Sequence, residues 1–371
     1  MKIMLLANDS TYVYNLRKEV IDALLEKKYQ VSIVCKPINH VKTLQKMGCE
    51  VVPIEIQRHG KNPLQDLALY QFYRKTLKKL QPDVVLTYNI KPNIYGGTAC
   101  SRLGISYLPN ICGLGTALEY DGAMQKLTTF MYRIGMKKAK CVFFQNIENE
   151  AFFAERKMAS CEHIMLPGSG VNLQKYSVLP YPTENVIEFL FISRVMKEKG
   201  ADQYLEAAEI IKSKYPNTMF HVLGNCDDAR YLARLEKLQN SNIIQYHGQQ
   251  KDILQFQMRS SCTVHPTYYP EGMSNVLLES AACGRPIITT DRSGCREIVE
   301  DGVNGFICKQ KDTADLVLQI EKFLALSPDA RRAMGLAGRA KVEKEFDRQI
   351  VVNAYLREIE HAIRKEELVH V

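Results

Sequence analysis

No apolar run in the sequence approaches the ~20 residues that a membrane helix needs, so an integral membrane protein is not expected. The start, MKIMLLAND, meets Asn8 and Asp9 too soon for a secretory signal, which argues against a processed secreted protein. No short repeat or low-complexity tract is present. None of the 11 cysteines stands two or three residues from another, which removes zinc-knuckle and CxxC redox spacing. Most lie in apolar strings such as VSIVC and AKCVFF, where a thiol behaves as a small core hydrophobe. Free, buried thiols in a reducing cytoplasm are therefore expected. His40, His59, His163, His221, His247, His265, His361 and His370 show no ligand spacing, so surface or core roles are expected. The aromatics form no recognisable stacking platform, and no nucleic-acid partner is expected.

What is present is a chain of 371 residues, 46% hydrophobic and 24% charged, long enough for two domains with buried cores. Its net charge of +8 is uneven. Residues 1–175 hold 24 Lys+Arg against 14 Asp+Glu, while 176–371 hold 25 against 27. A basic first half can serve nucleic acid, an anionic membrane or a polyanionic substrate, or be a solvated surface.

Short β-rich runs alternate with helical patterns, the signature of βαβ units and a buried parallel sheet. In the first half the strands expected are 3–7, 31–35, 51–56, 83–88, 105–111, 141–145 and 163–167. Helices are expected over 11–28, 63–80 and 122–139. The pattern restarts with strands at 187–193, 218–224, 242–248, 262–266 and 286–290 and helices at 200–214 and 275–283. The stretch 168–185 has glycines, prolines and no periodicity, and reads as a linker. The domains expected are thus 1–175 and 176–349, both Rossmann-like α/β. From Phe346, the residues Ile350, Val351, Ala354, Tyr355, Ile359 and Ile363 recur at helical spacing. That last helix either crosses back to the first domain or caps its own.

Two segments of the second half carry candidate chemistry. In HPTYYPEGMSNVLLESAACGRP (265–286), Pro266 and Pro270 enforce an extended approach, and Ser274 has the residue type of an N-cap. Glu271 then precedes a helix N-terminus and Glu279 lies on the helix, with the backbone N–H groups of Gly272, Met273, Ser274 and Asn275 between them. Such an end suits anionic or hydroxyl-rich ligands, although a capped surface helix with solvated glutamates has the same spacing. In FISRVMKEKGA (191–201), Arg194 follows a strand and Lys199 precedes a helix, where open α/β sheets bind ligands. A guanidinium fork and an ammonium there match a diphosphate.

Together these segments resemble family 4 of the retaining glycosyltransferases, of GT-B fold. Arg194 with Lys199 match its R-x4-K, and Glu271 with Glu279 its E-x7-E. The stretches GVN (170–172), HGQQKDI (247–253) and CGRPIITTDRSGCREIVEDGVNGF (283–306) add to the likeness. NIKPNIYGG (89–97), NICGLGTAL (110–118) and KKAKCVFFQN (137–146) resemble the capsule and O-antigen branch. The resemblance implies two Rossmann-like domains facing across a cleft, with the helix at about 350–371 crossing back to the first. It implies a nucleotide-sugar donor, with UDP as the nucleotide, held mainly by the second domain. Arg194 and Lys199 would neutralise the diphosphate as charge develops on the leaving oxygen, Glu271 would orient the sugar, and Glu279 would hold the ribose. Gly272 to Asn275, Gly224, Gln249, Asn8 and Gly113 complete the implied donor site. Glutamates eight residues apart on one side do not suit a glycosidase pair flanking the bond, and a same-face displacement with retention is expected instead.

The chain departs from the family in two places. Many relatives carry a histidine where Cys112 or Gly113 stands, and many have a glycine-rich first loop where this chain reads NDSTYVYN (8–15). No D-x-D pair exists among the 15 aspartates, so activity without a metal or other cofactor is expected. Stretches 61–81 and 124–140 mix aromatics with Lys and Arg, as interfacial helices do, although an apolar core side with solvated lysines would look the same. The family's usual acceptors imply a saccharide on a polyprenyl diphosphate, and peripheral attachment to the anionic inner face of the cytoplasmic membrane. Two other readings remain: a GT-B-fold UDP-sugar epimerase and a non-catalytic nucleotide-sugar-binding protein.

Overall fold

A computed structural model of the chain describes residues 1–55, 62–115, 118, 121–183 and 186–367. It divides into two compact units: Met1–Ser169 with Glu271–Met273 and the chain from Arg348 on, and Gly170–Pro270 with Ser274–Asp347.

Unit 1 is built on seven strands, β1 (Lys2–Asp9), β2 (Gln30–Lys36), β3 (Glu50–Pro53), β4 (Val84–Tyr88), β5 (Ser106–Ile111), β6 (Cys141–Phe144) and β7 (Glu162–Met165). Their spatial order is β3-β2-β1-β4-β5-β6-β7, with every pair parallel. Strands buried on both faces need continuous apolar runs, and alternate residues supply the two sides. Ile3, Leu5, Val84 and Leu86 enter one core, while Met4, Leu6 and Val85 enter the other.

The helix Arg348–Glu367 completes the first of these cores. Val351, Val352, Tyr355, Ile359, Ala362 and Ile363 are buried with Ile3 and Leu5. Arg348 anchors its start by donating to Glu19 (2.7 Å) and to the Asn15 carbonyl (3.3 Å). Beneath it the fully buried Arg17 lies against the rings of Tyr88 (4.8 Å), Tyr12 (5.5 Å) and Tyr355 (5.8 Å). Its guanidinium donates to the Leu16 carbonyl (2.7 Å) and the Tyr12 hydroxyl (3.0 Å).

Unit 2 repeats the plan with β8 (Ile187–Ile192), β9 (Thr218–Leu223), β10 (Ile244–Tyr246), β11 (Cys262–His265), β12 (Ile287–Thr290) and β13 (Gly305–Cys308). The order is β10-β9-β8-β11-β12-β13, again all parallel. Phe189 and Phe191 pack on one face of the sheet with Phe220, Val222 and Val264, and Leu190 on the other with Leu223 and Phe256.

Both units are thus Rossmann-like parallel sheets, as the alternating pattern predicts, and the element ends differ by up to three residues. The expected strand 51–56 stops at Pro53, which cannot donate to a ladder; Ile56, His59 and Lys61 lie outside the described residues. Thr116 and Ala117 of the ICGLGTAL stretch, part of the 168–185 linker and the final residues 368–371 lie outside them too. The division between units falls at Ser169/Gly170, inside the aperiodic stretch, and β13 is a strand the sequence reading did not include. All 11 cysteines are free, and all but Cys112 and Cys161 are buried.

Candidate active site

In each sheet the strand order reverses once, beside the first strand: between β1 and β4 in unit 1, and between β8 and β11 in unit 2. Ligands of open α/β sheets bind outside the carboxyl ends of the strands at such a reversal. In unit 2 the two strands there are those that run into the Arg194–Lys199 and Pro266–Glu271 segments.

Backbone contacts lace these segments together. After β8 the exposed Arg194 leads to a 3-10 turn, Lys197–Lys199, which ends at Gly200 in the left-handed region (φ 76°). A Cβ at Gly200 would stand 2.1 Å from the Pro266 carbonyl oxygen, so only glycine permits the approach. The Glu198 carbonyl accepts from Tyr268 N (2.9 Å) and the Thr267 hydroxyl (3.3 Å). Lys199 Nζ consequently lies 4.8 Å from the centre of the Tyr269 ring. Burial, with the Arg194 guanidinium adding to it, pushes the Lys199 ammonium down to about 8. His265, at the end of β11, is buried with neither ring nitrogen hydrogen-bonded among the described residues. Burial, and next the Lys199 charge, push its imidazole down to about 3, so it is neutral. Unit 2 therefore concentrates positive charge, partly stripped of water, at its sheet reversal. An anion placed there relieves that cost.

Gly224 follows β9 in a conformation open to glycine (φ 146°), and a Cβ there would stand 1.7 Å from the Ser193 carbonyl oxygen, next to Arg194. Its N–H donates to the Gly248 carbonyl (2.8 Å), so Gly224 and the Gly248–Gln249 loop form one rim; Gln249 is exposed on it. Behind that rim, His221 lies 2.9 Å from the Glu188 carboxylate and 3.0 Å from His247. Burial opposes ionisation of Glu188, but the bonds from His221 and Arg259 outweigh it and hold the carboxyl below its ordinary range.

The helix Asn275–Ala282 carries Glu279, partly buried, on its body. Ser274 occupies the N-cap position, but its side chain makes no capping bond, contrary to its residue type. Instead Ser274 N donates to the Gly294 carbonyl (2.8 Å), and the Gly294 N–H (2.7 Å) and Ser293 hydroxyl (2.9 Å) bond to Glu297. The loop 293–297 thus holds the helix start, a role that the CGRPIITTDRSGCREIV run gave no sign of. Asn275 Oδ1 is buried with no hydrogen-bond partner among the described residues.

Glu271, Gly272 and Met273 group with unit 1. There Asn146 Nδ2 donates to the carbonyls of Glu271 (3.1 Å) and Gly272 (2.5 Å), and a Cβ at Gly272 would stand 2.6 Å from the Cys112 carbonyl oxygen. Cys112 and Gly113 (φ 136°) follow β5. Asn8 lies within β1: its N–H donates to Asn89 Oδ1 (3.2 Å), and Asp9 caps the helix Ser10–Glu26. Among the described residues no group of three His, Cys, Asp or Glu stands together as a metal site.

Residues 2–146 match the family model described as Glycosyl transferase 4-like, and residues 181–341 that of Glycosyl transferases group 1. The chain is a glycosyltransferase of this group, with the GT-B fold. One relative is the N,N'-diacetylbacillosaminyl-diphospho-undecaprenol alpha-1,3-N-acetylgalactosaminyltransferase of Campylobacter jejuni, 27% identical over 98% of this chain and 100% of its own. Another is the capsular polysaccharide biosynthesis glycosyltransferase CapM of Staphylococcus aureus, 29% identical over 46% of this chain and 47% of its own. Among solved structures, Anabaena HepE in complex with UDP and glucose matches with a TM-score of 0.79 at 16% identity, covering 98% of this chain and all of that one.

Proposed function

We propose that this glycosyltransferase moves a sugar from a UDP-linked donor to a saccharide carried on a polyprenyl diphosphate, with retention and without a metal. The observation that carries the reading is the position of Arg194 and Lys199 at the unit 2 sheet reversal, with the lysine held down to about 8. A diphosphate gaining charge as the glycosidic bond breaks gains most from such preorganised cations. Glu271 orients the sugar, Glu279 the ribose, and Gly224 with the Gly248–Gln249 rim the nucleotide. In the step itself the C1–O bond to the diphosphate breaks, the acceptor oxygen bonds C1 on the same face, and its proton passes to the departing phosphate oxygen. The acceptor class rests on the likeness to the Campylobacter enzyme, whose name specifies a diphospho-undecaprenol substrate.

Attachment to an anionic membrane belongs to the same proposal. No described helix is long and apolar enough to cross a membrane. The helix Ala123–Met136, however, buries Gln125, Thr128, Thr129, Tyr132 and Met136 on one side and exposes Met124, Leu127, Phe130 and Ile134 on the other. Lys126, Arg133, Lys137 and Lys138 are exposed beside that stripe. The helix Pro63–Leu80 adds exposed Leu64 and Leu67, while its Leu69, Tyr73 and Leu77 face the core. An outward apolar stripe edged by cations fits an anionic bilayer surface.

The test is a panel of UDP- and GDP-sugars offered with polyprenyl-diphosphate saccharides and read by mass spectrometry. A glycosylated lipid formed from a UDP-sugar in the presence of a chelator is the expected product. Conversion of the donor with no acceptor added would mark an epimerase, and strict dependence on manganese would sink the mechanism.

A further inference from the structure

Asn146 is buried at the N-cap of the helix Ile147–Glu155, and its two side-chain ends are used differently. Oδ1 accepts from Asn149 N (2.9 Å), a helix cap. Nδ2 donates to two consecutive carbonyls, those of Glu271 (3.1 Å) and Gly272 (2.5 Å), 125 and 126 residues away in sequence. A cap needs only an acceptor, so the donor half of the amide is not required by the helix. Around the same peptide the fit leaves no slack. A Cβ on Gly272 would stand 2.3 Å from Gln145 Oε1 and 2.6 Å from the Cys112 carbonyl oxygen. Two hydrogen bonds to adjacent carbonyls fix the orientation of the peptide from which the Glu271 side chain branches.

We infer that Asn146 is a positioning residue for transfer: through its amide donor it sets the backbone of Glu271 and so the direction of that carboxylate. The inference rests on the role given to Glu271 above. A shift of about 1 Å in a group that orients a reacting centre costs on the order of 100-fold in rate. Loss of the donor therefore lowers turnover and leaves nucleotide binding, which unit 2 residues provide, in place.

The experiment separates the two halves of the amide in the full-length enzyme. Asn146→Asp and Asn146→Ser each keep an oxygen for the cap but offer no amide donor, and Asp also sets a carboxylate against two carbonyl oxygens. Asn146→Ser is expected to melt near the wild type and Asn146→Asp lower, and both to bind UDP within about two-fold by calorimetry and lose roughly 30- to 100-fold in kcat. Asn146→Asp combined with Glu271→Gln is expected to be no slower than Glu271→Gln alone, because both changes act through one carboxylate. A folded Asn146→Asp or Asn146→Ser enzyme with wild-type kcat, or losses that multiply in the double variant, overturns the assignment. A wild type that binds no UDP and is silent with the whole donor panel overturns the underlying reading instead.

Discussion

Replacing Lys199 by methionine is expected to make unit 2 more stable and the enzyme inactive. The methionine keeps most of the stem and volume but removes a charge that the fold holds partly out of water. The ammonium is lowered from 10.5 to about 8, and each unit corresponds to about 1.4 kcal/mol, so protonation at neutral pH costs the folded state at most about 3.5 kcal/mol. For a unit of this size that is a rise in Tm of at most roughly 7–14 °C. The pH dependence has a definite sign. Because the folded value lies below the unfolded one, the unfolded chain binds more protons between about 8 and 10.5, and wild-type stability rises with pH across that window. The Lys199→Met variant lacks this gain, so the stability difference between the two proteins narrows as the pH is raised. UDP, by contrast, favours the charged form: wild-type binding near pH 8 is expected to take up a proton, seen by calorimetry in two buffers of different ionisation enthalpy. Loss of a charge-assisted contact to phosphate is expected to weaken UDP about 10- to 100-fold. A variant that melts no higher than the wild type and binds UDP as tightly would refute the whole line of reasoning.

Arg194→Ala is expected to lower kcat/KM by about 100-fold or more, since it removes preorganised charge from the leaving diphosphate; initial rates check it. Gly224→Ala sets a Cβ against the Ser193 carbonyl oxygen and forces the backbone from its φ of 146°, so a drop in Tm and lost UDP affinity are expected by thermal shift. Leu127→Glu with Phe130→Glu is expected to abolish flotation with phosphatidylglycerol vesicles at low salt while UDP affinity is unchanged; persistent flotation would remove helix Ala123–Met136 from the membrane face. Tyr204→Phe takes one hydroxyl from two strand carbonyls, of Phe189 (3.1 Å) and His221 (2.9 Å), and is expected to cost unit 2 about 1–3 kcal/mol in denaturant unfolding.

Much of this architecture can be read from apolar runs alone, because strands buried on both faces leave little ambiguity. IMLLA and IEFLFIS are strands in the structure, and the basic pair follows the strand where the order reverses. What escapes such reading depends on distant partners. β13 is short and opens on Gly305, whose place is set by the Ile287 carbonyl oxygen (2.1 Å from where a Cβ would stand). Ser274 has the residue type of a cap, but its backbone is engaged by the 293–297 loop and its hydroxyl makes no capping bond. Asn146 caps a helix that apolar spacing does not mark, and nothing local reveals the peptide it also holds. Periodicity in 123–136 marks two faces without saying which is inward, and here it is the side that joins Gln125, Thr128 and Thr129 to Tyr132 and Met136.

The helix Arg348–Glu367 lends six side chains to a core whose strands are otherwise made before residue 170. On the ribosome, unit 2 can therefore finish folding while the older unit still has an open hydrophobic face along β4 and β5, waiting for a plug translated after unit 2. Birth order and order of completion are reversed, and the face left open in the interval is apolar.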